Sequence, residues 1–136
     1  MAWMNATKDS LMYAVFDGPS KTWYRSPVGI ARSQNCWVDL DLFDDGGAIR
    51  PTIAFSPNGV LKAATKDPVG GTWSLETVYS AGNVDNVSIA ADSLGALHIA
   101  FHEISGNDLL YATNRNGPWT NEYVDITMGF GTYFFG

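Results

Sequence analysis

Trp73-Ser74-Leu75-Glu76-Thr77-Val78 and Trp119-Thr120-Asn121-Glu122-Tyr123-Val124 align without a gap, and this repetition decides the fold. A third copy, Trp23-Tyr24-Arg25-Ser26-Pro27-Val28, keeps the Trp and the Val but carries Ser26 where the others carry Glu. The three Trp recur at intervals of 50 and 46 residues. Upstream of each lies a further shared segment, Tyr13-Ala14-Val15, Ala63-Ala64-Thr65 and Tyr111-Ala112-Thr113. Earlier still, Ile53-Ala54-Phe55 matches Ile99-Ala100-Phe101, and Val38-Asp39-Leu40-Asp41-Leu42 matches the alternation of Val87-Ser88-Ile89-Ala90. Several segments in one order at one spacing mark an internal repeat.

Within each full copy the apolar residues alternate with period two, in short runs cut by turn residues, which predicts four β-strands. The strands are expected at about 37–43, 49–55, 60–66 and 73–79, then at about 86–91, 96–103, 109–114 and 119–126. Asp44-Asp45-Gly46-Gly47, Pro57-Asn58-Gly59 and Asn116-Gly117-Pro118 supply turns, since Gly and Asn accept the backbone angles of tight hairpins. No segment sustains a 3.6-residue apolar period, so essentially no helix is expected.

A four-stranded sheet of this size standing alone leaves both faces wet. Stacking such sheets as blades around an axis buries those faces, which is the logic of a β-propeller. The chain is thus expected to be all-β, a propeller arc of three four-stranded blades with the repeated Trp packed between neighbours. Blade 1 covers about 1–34 plus 130–136, blade 2 about 35–82 and blade 3 about 83–128. Three blades cannot close a ring, because propellers have about four to eight. A homodimer would close a six-bladed ring, the C-terminal strand near Gly131–Gly136 completing blade 1 of the partner by strand exchange. A fragment of a longer propeller, or a monomer with a collapsed arrangement, is the alternative.

Composition narrows the partners. The net charge is −6 and no Lys/Arg cluster offsets it, so nucleic acid and anionic membrane surfaces are not expected partners. The N-terminus has no basic segment leading into an apolar run, and no apolar stretch is long enough to span a membrane, which leaves the cellular compartment open. Cys36 is the only cysteine, which removes an intrachain disulfide and a thiolate metal site; it reads as a small hydrophobe. No cofactor fingerprint, phosphate loop or Ser-His-Asp arrangement is present.

The hairpin before each Trp resembles the Asp-box repeat of sialidases and related propellers, Ser/Thr-x-Asp-x-Gly-x-Thr-Trp. Thr65-Lys66-Asp67-Pro68-Val69-Gly70-Gly71-Thr72-Trp73 matches with one extra residue. Asp17 and Thr22-Trp23 keep part of the pattern, and Arg115 replaces the Asp in the third copy. The resemblance implies a structural hairpin rather than a catalytic set. Arg25, Arg32, Arg50 and Arg115 fall at unrelated repeat positions, and Arg50-Pro51 lacks the Ile of the sialidase Arg-Ile-Pro motif. The architecture is also similar to that of small six-bladed fucose lectins, which repeat an Arg, a Glu and a Trp in every blade. Here the Trp repeats fully and the Glu repeats as Glu76 and Glu122, but no Arg repeats.

These patterns nominate Asp39, Asp41, Trp23, Trp73, Trp119, Glu76 and Glu122 as ligand-binding candidates, with catalytic residues unassigned and no metal expected. Asp39 and Asp41 share one face of an innermost strand, where they could line a central channel. His98 and His102 lie four apart on a strand, about 13 Å along it, too far to share one metal ion. The expected function is a non-enzymatic binding scaffold for a glycan or small polar molecule. A glycoside hydrolase with a channel site and a protein-interaction propeller are the alternatives.

Overall fold

Eleven strands, and no α-helix, make up the described residues, which are 1–5, 7, 9–30, 36–44 and 46–125 of a computed structural model. They form three open antiparallel meanders. The first holds β1 (Ala2–Asn5), β2 (Ser10–Asp17) and β3 (Thr22–Ile30). The second holds β4 (Val38–Asp44), β5 (Ile49–Phe55), β6 (Leu61–Lys66) and β7 (Trp73–Tyr79), with one turn of 3-10 helix at Pro57–Gly59. The third holds β8 (Val84–Ala91), β9 (Leu97–Glu103), β10 (Asp108–Thr113) and β11 (Thr120–Asp125). Every expected strand of the second and third copies is present, with ends moved by at most two residues. The expected strand over 130–136, Arg32 and Asp45 lie outside the described residues. No helix among the described residues is long and apolar enough to cross a membrane.

The repeat survives at the level of register. Each outer hairpin slips by one residue at the same place, between Leu11 and Met12, Leu61 and Lys62, and Leu109 and Leu110. Such a bulge increases local twist and re-aims the extra residue. In all three sheets that extra residue is a Val, at 28, 78 and 124.

The turns show how the Asp-box-like segments work. Asp67 Oδ1 accepts the Val69 N–H at 2.9 Å, while the Asp67 N–H reaches Thr72 O at 2.8 Å, closing the β6–β7 hairpin. Asp17 Oδ2 does the same for the Ser20 N–H at 3.1 Å. In the third copy, where Arg115 stands in for the Asp, Thr113 Oγ1 accepts the Arg115 N–H at 3.2 Å. A side-chain oxygen that takes up a turn N–H is the requirement, and a hydroxyl meets it as a carboxylate does.

Two apolar clusters join the sheets. Leu11, Tyr13 and Val28 of the first sheet pack with Ile53, Phe55 and Ala64 of the second. Ala54, Leu61, Ala63 and Val78 on the opposite face of the second pack with Ile99, Phe101, Leu110 and Ala112 of the third. Burying a side chain such as Phe55 or Phe101 contributes about 1.5–3 kcal/mol, which is what binds sheets that share no backbone ladder.

Candidate functional site

β4 and β8 are edge strands of different sheets, and each turns one row of backbone N–H groups away from its own ladder. Unpaired, those donors are costly inside a structure and sticky outside it. Asp39 and Asp41 take up two N–H groups on each strand. Asp39 Oδ1 accepts the Leu40 N–H at 2.8 Å on its own strand, and Oδ2 accepts the Ile89 N–H at 2.9 Å and the Ser88 hydroxyl at 3.1 Å across the seam. Asp41 repeats this two residues on, with Leu42 N at 2.8 Å and Ala91 N at 2.7 Å. Alternation in β4 puts both carboxylates on the face toward β8 and Leu40 on the other. They are charge-assisted clamps between two strand edges, each oxygen already holding a donor.

The Trp candidates divide. Trp119 Nε1 donates to Glu76 Oε2 at 2.7 Å across the second seam, and Asn121 Nδ2 donates to Val78 O at 3.4 Å beside it. Trp73 lies edge-on against Tyr13 at 5.4 Å across the first seam, but its buried Nε1 finds no acceptor among the described residues. Two of the three repeated Trp therefore pack between sheets, as expected. Trp23 stays half-exposed, tilted against Phe16 of its own sheet at 5.3 Å, and Glu122 is exposed on β11.

The second seam opens at one end into a cleft of about 900 Å³. The second sheet lines it with Phe43, Asp44, Arg50, Thr52, Thr65 and Glu76; the third lines it with the Ser93–Gly95 turn, Leu97 and Asn114. Cross-strand pairing explains the polar wall, because Thr52 faces Thr65 and Thr65 faces Ser74, with Arg50 and Glu76 two residues along on the same face. Gly95 forms the opposite lip at φ +82, with a Cβ there meeting the Phe43 ring at 2.8 Å. Asn114 Oδ1 is taken up by the Leu97 N–H at 2.8 Å, which fixes that amide at the cleft. Arg50 was singled out in the sequence only for a motif it does not complete. Its period-two spacing to Thr52 was the signal that it joins Glu76 on one face.

The histidines belong to the far side of the third sheet, away from the cleft. His98 stacks on Tyr111 and hydrogen-bonds its hydroxyl, with Nε2 3.3 Å from Asp92; His102 Nδ1 lies 2.6 Å from Asp85. They sit in separate clusters, and no group of three metal-capable side chains occurs among the described residues. Desolvation pushes the Asp92 carboxyl up, but the N–H groups of Leu94 and Ala96, His98 and Arg115 outweigh it and hold it below the usual range. Cys36 is half-buried against the first-seam cluster, and desolvation raises its thiol pKa, as expected of a packing residue rather than a nucleophile.

Glu103, which the sequence reading passed over, is the most deeply buried carboxylate among the described residues. It accepts the Gly106 N–H at 2.7 Å, the Ser105 N–H at 3.0 Å and the Asn83 N–H at 3.1 Å. Desolvation raises its pKa, yet those donors more than offset the burial and hold the group below its ordinary value. Through Asn83 it anchors the connector that leads from β7 into β8. A Cβ on Gly82 would collide with the Glu103 carboxylate, so that connector is bare backbone where it passes.

No protein-family model matches the chain, and no curated protein matches its sequence.

Proposed function

We propose that the three sheets are blades of a β-propeller and that the chain is a non-catalytic binding scaffold, holding a small polar ligand, a saccharide first, in the cleft between the second and third blades. What supports the radial reading is the approach of β4 to β8, the first strands of the second and third sheets, with β1, at the second-strand position of its own sheet, reaching β4. The ligand reading rests on one observation. Arg50, Glu76, Asp44, Thr52, Thr65 and Asn114 converge on a single cleft beside the apolar face of Phe43. A ring of hydroxyl donors and acceptors with one apolar face asks for that mixture of cation, carboxylate, hydroxyl and aromatic side chains. Trp119 holds Glu76 from behind rather than stacking on the ligand. Asp39 and Asp41, with their oxygens engaged by backbone, are assigned to holding the blades together.

A glycan array followed by calorimetric titration of the best saccharide tests this. Binding is expected for the native chain and weakened about tenfold or more in Arg50→Ala, the cost of a charged hydrogen bond. A silent array overturns the saccharide reading in favour of a protein-interaction scaffold. Turnover of aryl glycosides would replace it with a hydrolase.

A further inference from the structure

The two seams within the chain use one set of repeat positions, and the same positions are left uncovered at its two ends. Val28 and Val78, at the bulges of the first and second sheets, are 6% and 5% exposed beneath the next sheet. Val124, at the same bulge in the third sheet, is 60% exposed. Leu11 and Leu61 beside them are fully buried, whereas Leu109 is not. The opposite faces behave in the same way. Trp73 and Trp119 are covered by the preceding sheet, while Trp23 is 46% exposed. Ile53 and Ile99 are buried, and Met1, which pairs alongside Ala2 at the matching place in the first sheet, is exposed.

The polar partners line up as well. Glu76 lies across from Ala63, Glu122 across from Tyr111 and Ser26 across from Tyr13, one register position in three sheets. Glu76 receives the Trp119 indole N–H; Glu122 has the same placement on the uncovered face, and Trp23 has the same placement as Trp119 on the other. A donor without its neighbour at one end thus matches an acceptor without its neighbour at the other.

We propose that a second copy of this chain docks head to tail on the first, its third sheet covering the first sheet here, with the Trp23 indole N–H donating to Glu122 of the second copy. The twofold-related contact forms at the same time, so that two chains close with two new seams of the kind already present twice in each. This rests on the blade reading above and not on ligand binding. The occupant is a second copy because each exposed end presents the half that the other lacks, which a heterologous interface requires. Each new seam would cover the apolar patch of Leu109 and Val124 on one side and that of Met1, Phe16 and Trp23 on the other, patches that the described residues leave to water.

Light scattering behind a sizing column, without saccharide, is the test. The expected mass is about twice 14.8 kDa. Trp23→Arg and Val124→Arg, both at exposed positions, are each expected to give monomers with native-like circular dichroism. Mixed in equal amounts they should regain a dimer, because a mixed pair keeps one seam with neither substitution. Val69→Arg, at the tip of the β6–β7 hairpin, should leave the dimer intact, and Glu122→Ala should weaken it about tenfold. A monomeric native chain, a mass above two copies, or variants that stay dimeric would overturn the proposal. So would the absence of a dimer in the mixture. Because no ligand is present, the outcome is independent of the titration of the cleft.

Discussion

Trp73 and Trp119 hold one repeat position in two seams, but the seams are built differently around them. The second seam is locked by polar groups: the Asp39 and Asp41 clamps, the Trp119–Glu76 bond, and Glu103 fastening its connector. The first is held by apolar contact, with Trp73 lying on Tyr13 and its indole N–H without an acceptor among the described residues. Within the second sheet, Trp37 and Ser56 tie the adjoining ends of β4 and β5 together, with the Ser56 hydroxyl accepting the Trp37 N–H at 3.3 Å. The same architecture therefore tolerates two ways of joining sheets. Apolar burial supplies the attraction in both, and among the described residues directed hydrogen bonds across the seam add registry at the second.

The largest difference between the seams is expected from removing the clamps. Asp39→Ala with Asp41→Ala leaves the Ile89 and Ala91 N–H groups without acceptors and should cost about 2–6 kcal/mol of unfolding free energy, from about 1–3 per orphaned group. Urea unfolding would measure it, and hydrogen exchange should show the protection lost first in β8 rather than in β2. Equal loss in both strands would mean the seams are coupled and the contrast is only local.

Acid should separate the seams next. The Glu103 carboxyl is held below its ordinary value, so its stabilisation is complete above the unfolded pKa near about 4.3 and is lost as pH falls through the lower folded value. Asp92 in the third sheet is depressed too and acts in the same direction. The first-seam cluster of Leu11, Tyr13, Val28, Ile53, Phe55 and Ala64 is apolar and contains no carboxylate. Lowering the pH from 6 to 3 should thus weaken the second seam selectively, and Glu103→Gln should cost about 1–3 kcal/mol at pH 6 while flattening that pH dependence. A pH profile unchanged by Glu103→Gln would place the acid sensitivity elsewhere.

Much of the strand pattern was legible because it rests on period-two alternation and on turn residues, both local signals. The packing of Trp73 and Trp119 between sheets followed from their repetition alone. The role of Asp39 and Asp41 was less legible. Their shared face could be read from spacing, but that face meets β8 only after two sheets associate, about 50 residues later in the chain. Arg50 was obscured for a similar reason, since a cleft drawn from two sheets has no contiguous motif. Glu103 carries no repeat signature, because Pro57 follows Ser56 at the place where Glu103 follows His102.

The smallest effect is also the sharpest test of the comparison. If the two seams differ at the Trp only because Ser26 replaces a Glu, restoring that residue should repair the first seam. Ser26 and Glu76 share one register position, each across from the residue on which the repeat aligns, Tyr13 and Ala63. Ser26→Glu should bring a carboxylate to the unpaired Trp73 Nε1 and raise stability by about 0.5–1.5 kcal/mol, the net worth of one hydrogen bond. Glu76→Ser, the reverse exchange, should remove a similar amount by orphaning Trp119. Thermal melts of the two single variants and the double would show it, with Trp fluorescence reporting which indole changes. The double variant should return near the native melting temperature if the seams are independent, because sites without shared partners add. Loss of stability in Ser26→Glu would mean that desolvating the new carboxylate outweighs the bond, and that the first seam is apolar by necessity rather than by substitution.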